Sequence, residues 1–336
     1  MPLTTRFTEL FGIANPVALA PMDYVSDWRL ASAVADCGGL GLLGGGYGDE
    51  PWLREQLDHV PAGKVGVGFI SWSMAMQRGL LDLAIQSRPK AIFLSFSDPA
   101  PHAAAIRAAG IPLICQVHDV AQARHAISVG ADVIAAQGAE AGGHGTGARS
   151  TFTLVPEIAD LLRSLAPDVP LLAAGGIGNG RGLAAALALG ADGALVGTRF
   201  WAAEEAAISP SAQQRGLQAS GDETLRQSAF DITRQKPWPT PYTGRVLSND
   251  FLAQWHGNEA ALRGATVEQS ERFLAAVEAE DYTVANVIVG EVIGQINQVQ
   301  TVASIMDEMV STAAHILGGS TDLPTLGYVG STSATI

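Results

Sequence analysis

The sequence predicts an α/β protein, a (β/α)8 TIM barrel with a smaller, mainly helical second domain inserted before the C-terminal helix. Three observations predict it. Through about residue 205, eight short apolar runs alternate with helix-like segments, as buried parallel strands alternate with their crossover helices. Two joints repeat nearly word for word, Val129-Gly130-Ala131-Asp132 and Leu189-Gly190-Ala191-Asp192, each a helix end, a glycine C-cap and a strand entry. Ala109-Gly110-Ile111-Pro112 is a weaker copy. The first strand ends at Pro21-Met22-Asp23, whereas an open doubly wound sheet, the runner-up, favours a glycine fingerprint there.

The elements follow in order. Residues 17–20 read as the first strand, and Asp27 as the N-cap of a helix over 28–36. Residues 39–43 are the second strand, followed by Gly44-Gly45-Gly46 and a helix near 51–58. The third and fourth are 65–70 and 91–96, with helices near 74–86 and over 101–109. The fifth is 112–117, after which Asp119 caps 120–129. The sixth is 132–136, and a helix over 154–165 follows a glycine-rich loop. The seventh is 169–173, with Asn179 capping 180–189, and the eighth is 193–196.

A plain barrel takes about 250 residues, and this chain has 336. The barrel is assigned to 1–208. From Ser209 the pattern breaks, with Pro237, Pro239 and Pro241 close together and Trp238, Tyr242 and Trp255 nearby. Helical patterns return over 267–279 and 299–317. Residues 209–282 read as a small helical lid over the substrate, and 283–320 as the segment whose long helix returns to the barrel wall. Residues 321–336, rich in Gly, Ser and Thr, read as a loose tail.

Composition narrows the function. Hydrophobic residues make up 47% and charged ones 16%, which excludes a disordered chain. A net charge of −13 argues against nucleic acid and anionic membranes, since both need a basic surface. Two cysteines, Cys37 and Cys115, lie in apolar runs and fit a reducing cytoplasm. No signal peptide opens the chain, no window is apolar enough to span a membrane, and no histidine pattern suggests metal. The expected partner is a small molecule. Oligomeric state stays open, a homo-oligomer included.

Two regions carry chemistry. Residues 137–147 hold five glycines in eleven positions, which rules out a regular helix after the sixth strand. Such a loop brings backbone N–H groups to a ligand and holds up Gln137, Glu140 and His144. The competing view is a flexible linker with a surface histidine. The other region is the pair of turns after strands seven and eight, Ala174–Gly180 and Gly197-Thr198-Arg199, where barrels commonly seat a phosphate. Backbone donors can hold a dianion that the net charge repels. A phosphosugar and FMN both satisfy the motif. His118 and His125 read as surface or helix residues, and Arg181 as decoration at a helix start. Trp238, Tyr242 and Trp255 either roof the site or pack the small subdomain.

Ala20-Pro21-Met22, the Gln137–His144 loop, the run over 173–200, and Gly244-Arg245 with Asn249 together resemble the nitronate monooxygenase family, formerly 2-nitropropane dioxygenase. The resemblance covers most of the chain. It implies an FMN-dependent oxidation of alkyl nitronates, nitroalkanes included, by O2 to a carbonyl compound and nitrite. FMN phosphate would rest on Gly175, Gly176, Gly197 and Thr198, with Val196 beside them. Met22 would pass beside the isoalloxazine ring, Gln137, Gly142 and Gly143 would contact the flavin, and His144 would face the substrate. Protonated, His144 would pair with the nitro oxygens; neutral, it would serve as base toward a nitroalkane. One departure stands out: many relatives carry Gly-Val-Asn at the end of strand three, and this chain has Gly66-Val67-Gly68. Restoring the asparagine is expected to tighten FMN by about 0.5–1.5 kcal/mol, the worth of one hydrogen bond. The alternatives are an FMN-dependent NAD(P)H:quinone or enoyl-ACP reductase, a flavin-free phosphate-binding lyase or isomerase, and a non-catalytic flavin-binding relative.

Overall fold

A computed structural model describes residues 3–77 and 79–319. Its strands, in chain order, are β1 (Val17–Leu19), β2 (Leu42–Gly44), β3 (Gly66–Ile70), β4 (Ile92–Ser95), β5 (Leu113–Val117), β6 (Val133–Gln137), β7 (Gly143–Gly145), β8 (Leu171–Ala174), β9 (Gly193–Val196), β10 (Thr224–Gln227) and β11 (Thr243–Leu247). Eight of them form one parallel sheet in the order β1-β9-β8-β6-β5-β4-β3-β2, and a parallel bridge between Ala18 and Leu40 brings its two ends together. The ring is the predicted (β/α)8 TIM barrel.

Strand alternation sets the two cores. Leu42, Phe93, Ile114, Val133, Leu172 and Leu195 fill the barrel interior, while Val67, Leu94, Cys115, Ile134 and Val196 face the helices. A helix absent from the sequence reading, Arg6–Phe11, sends Phe7 and Phe11 into the interior cluster. Thr5 and Thr8 form its capping box.

The repeated joints have a physical cause. Gly130 and Gly190 sit at φ +85° and +98°, where other residues are strained. The aspartates that follow reach back across the sheet: Asp132 accepts the Leu113 N–H at 2.8 Å and Asp192 that of Leu171 at 2.9 Å. Asp27, Asp119 and Asn179 cap the helices assigned to them. The helix expected near 74–86 is instead two pieces, Ser71–Met74 and Leu80–Gln86, interrupted at Gly79 with φ +85°.

Residues 209–282 carry the helix Pro210–Leu217, which packs beside Trp201 and Ile293, and the helices Ala229–Thr233, Asp250–Trp255, Glu259–Gly264 and Thr266–Glu278 around Phe230, Phe251, Trp255 and Phe273. They also carry two strands that the sequence reading lacked. These pair antiparallel as β10-β11-β7, with Gly244 opposite His144 and Arg245 opposite Gly143. The glycine loop of the barrel is therefore an edge strand of the inserted segment's sheet. The last helix, Val302–Leu317, packs on Gly180–Ala188 and Trp28–Asp36. Gly180 permits that approach, since a Cβ there would lie 2.4 Å from Thr312 Cβ. The tail at 321–336 lies outside the described residues.

Candidate active site

A cavity of about 350 Å³ opens at the C-terminal ends of the barrel strands, where this fold places its chemistry. Its wall begins at Pro21 and Met22 after β1. Ser26 pins that turn, donating to the Ala20 carbonyl at 2.9 Å and accepting the Met22 N–H at 3.2 Å.

The turn after β8 supplies Gly175 and Gly176 at φ +101° and +74°. Among the described residues, the amides of Gly175, Gly176 and Ile177 have no protein acceptor, so consecutive donors remain for a ligand at this wall. Beside them lie Gly197 and Thr198, whose Oγ1 accepts the Gly290 N–H at 2.9 Å. Val196 does not line the cavity: its side chain is buried in the layer between strands and helices.

The glycine loop after β6 is clamped, not a loose linker. Arg226 donates to the carbonyls of Ala139, Ala141 and Gly145, and Arg245 to that of Ala139. Gly142 and Gly143 line the cavity. Gly142 has a packing reason as well, since a Cβ there would lie 2.4 Å from the Gly290 amide nitrogen.

Gln137 enters the cavity from the end of β6 with its carbonyl oxygen occupied. Oε1 accepts from Gln116 Nε2 at 3.1 Å and from His118 Nε2 at 2.7 Å. The Gln137 amide hydrogens are thereby left for a ligand. This corrects the placement of His118, which is buried at the end of β5 and sets the orientation of Gln137. Burial pushes its pKa down, keeping one ring nitrogen unprotonated near neutrality. His125 is on an outer helix beside Asp98, and Arg181 is exposed at a helix start, both as read from the sequence.

His144 lines the same cavity with only 12% of its side chain exposed. Nε2 lies 2.9 and 3.0 Å from the two carboxylate oxygens of Asp231, and Trp238 stacks on the ring with centroids 3.4 Å apart and planes 5° off parallel. Burial lowers the pKa of His144; Asp231 opposes that shift, while Arg234 and Arg226 add to it. The lowered pKa favours the neutral imidazole, the form of a base. Trp238 and Tyr242 belong to the aromatic group around Phe96, whereas Trp255 packs in the core of the inserted segment.

Four functional residues went unassigned in the sequence reading. Asp231 carried no local signal, because its partner is 87 positions away. Gln116 and His118, two apart on β5, had a signal in their alternation after an apolar run. Asp23 lines the cavity mouth, where burial raises its pKa to about 6 despite Arg234 and Lys236.

Gly68 changes meaning in the structure. A Cβ there would lie 2.3 and 2.4 Å from Pro21 Cβ and Cγ, so the position has no room for the asparagine expected to help. Glycine at 68 is what lets β3 approach the Pro21-Met22 turn.

Comparison with known proteins agrees with this architecture. A family model described as nitronate monooxygenase matches residues 4–62 and 69–312, leaving out the six positions that end in Gly68. The nitronate monooxygenase npaC of Metarhizium robertsii is 37% identical over 279 residues, covering 73% of this chain and 75% of that protein. A (3aS,4S,5R,7aS)-5-hydroxy-7a-methyl-1-oxo-octahydro-1H-indene-4-carboxyl-CoA dehydrogenase of Mycobacterium tuberculosis is 32% identical over 268 residues, covering 79% and 74%. FabK from Thermotoga maritima superposes with a TM-score of 0.80 at 27% identity, over 94% of this chain and 97% of that one. No helix among the described residues is long and apolar enough to cross a membrane. A barrel with paired glycine turns, a clamped glycine–histidine loop and a family match over most of its length shows that this chain is an oxidoreductase belonging to the nitronate monooxygenase family.

Proposed function

We propose that this enzyme oxidises alkyl nitronates, and neutral nitroalkanes after proton removal, with O2 as oxidant, FMN as cofactor, and a carbonyl compound and nitrite as products. The observation that carries the proposal is His144, held by Asp231 in the wall of the same cavity that reaches the glycine turns after β8 and β9. The family is flavin-dependent, and the donor set here fits FMN. The unpaired amides of Gly175, Gly176 and Ile177 suit its phosphate, with Gly197 and Thr198 beside them. The Gln137 amide hydrogens suit a ring carbonyl or nitrogen, and Met22 borders the space for the ring. Bound there, FMN would take electrons from the nitronate and pass them on to oxygen.

The protein's own groups divide the remaining work. Trp238 and Phe96 wall the cavity with aromatic surface and keep water from the His144 ring. With Nε2 engaged by Asp231, Nδ1 is the ring nitrogen available to take a proton from the carbon that bears the nitro group. A preformed nitronate has already lost that proton and needs only seating. Isolated protein should be yellow, lose its visible spectrum on denaturation, and release nitrite from ethyl nitronate in air. Yellow protein that releases no nitrite but consumes NADH with a quinone supports the reductase alternative. Colourless protein that binds phosphosugars supports a flavin-free lyase or isomerase.

A further inference from the structure

The base in this site belongs to two parts of the fold at once. His144 rises from the loop after β6, yet it pairs through β7 with β11 of the inserted segment. Asp231 comes from the helix Ala229–Thr233 of that segment. Gln227 fixes the two relative to each other: Oε1 accepts the Phe230 N–H at 2.8 Å, and Nε2 lies 3.5 Å from the carbonyl of Gly244, the residue opposite His144.

We propose that Asp231 is the positioning residue of the base, its carboxylate holding the Nε2–H of His144 so that Nδ1 carries the lone pair presented to the substrate. The proposal rests on the reading of His144 as the base. A carboxylate oxygen accepts and does not donate, so contacts of 2.9 and 3.0 Å place the proton on Nε2. The side chains are 12% and 7% exposed, so little water competes for either partner. The Trp238 stack restricts rotation of the ring. The charged groups around the ring are few. Asp231 favours the cation; Arg234 beyond the same helix and Arg226 on β10 disfavour it. On the barrel side the neighbour is Phe96, which is uncharged.

A carboxylate so placed fixes the tautomer and raises the basicity of the free nitrogen, as second-sphere carboxylates do for other histidines. The competing role is a plain staple between loop and inserted segment. The two separate in turnover, since loss of a staple alone affects nitroalkane and preformed nitronate alike.

Nitrogen-15 NMR of histidine-labelled holoprotein, with His144→Asn assigning the signal, is the test. At pH 8 the wild-type ring should be neutral and protonated on Nε2; a ring protonated on Nδ1 overturns the proposal without any Asp231 variant. Asp231→Asn keeps an acceptor but removes the charge, so the His144 midpoint should fall by about one pH unit or more. In FMN-loaded Asp231→Asn, the acid limb of nitroalkane turnover should move the same way, while turnover of preformed nitronate changes little. An unchanged tautomer and midpoint in Asp231→Asn refute the proposal. Wild-type protein that releases no nitrite refutes the proposed reaction and leaves the tautomer result standing as the judge of the Asp231–His144 pair.

Discussion

Gly68→Asn puts the wall of the cavity to a direct test. A Cβ at residue 68 would sit 2.3 Å from Pro21 Cβ and 2.4 Å from Pro21 Cγ. Carbon atoms prefer separations of about 3.5–4.0 Å, so the proline ring must retreat by more than about 1 Å. It has little freedom to do so. Ser26 holds the backbone on either side through Ala20 and Met22, and the Met22 carbonyl is packed against Gly44, where a Cβ would approach to 2.1 Å. Overpacking of a tight wall costs about 1–3 kcal/mol, which in a chain of this size lowers Tm by roughly 1.5–4 °C. The displaced Pro21-Met22 turn borders the space assigned to the isoalloxazine ring, so FMN should be held more weakly as well. Thermal unfolding of apo and loaded protein, with FMN content measured from the visible spectrum, reads both effects. A variant as stable as wild type that binds FMN more tightly contradicts the packing argument.

Three other substitutions probe separate parts of the site. Gly176→Asp places a charged side chain at φ +74°, among amides free for a dianion, and the purified protein should lack FMN; full loading shows that these glycines serve only the turn. His144→Asn should cut nitroalkane turnover by about 10²–10⁴-fold and spare preformed nitronate, provided FMN content is equal. Because burial holds the folded pKa of His144 below its usual 6.5, wild-type nitroalkane turnover should persist below that pH and fall only as the ring protonates. Asp23 is raised from 3.8 to about 6, so its ionisation works against the fold as pH climbs through 6. Asp23→Asn should accordingly stabilise the protein by on the order of 1–3 kcal/mol at pH 8 and by only about 0.5 kcal/mol at pH 4. Denaturant titrations at the two pH values check the difference, and equal effects at both refute the assignment.

The barrel was legible because its signals are local. The strands are short apolar runs, and the joints at Gly130 and Gly190 repeat because one aspartate device recurs. The glycine turn after β8 was legible for a similar reason, since Gly175 and Gly176 sit at positive φ. What stayed hidden depends on distant pairing. Nothing around residues 143–145 announces a strand, because its partner lies a hundred positions away and hydrogen-bonds through backbone alone. Asp231 and Trp238 converge on His144 through that same pairing. His118 looked like a surface residue because it follows the apolar run of β5, yet the barrel's curvature turns it toward Gln137. Gly68 misled for the opposite reason: a missing side chain looked like a lost contact, and only the position of Pro21 shows why glycine is required.

The central claim is that nitronate and FMN share the cavity beside His144. Anaerobic titration of the isolated, FMN-loaded protein with ethyl nitronate, followed by admission of air, tests it most directly. The account predicts that nitronate bleaches the visible flavin band, that air restores it, and that nitrite and acetaldehyde accumulate. A flavin band untouched by nitronate, or bleached only by NADH, contradicts it.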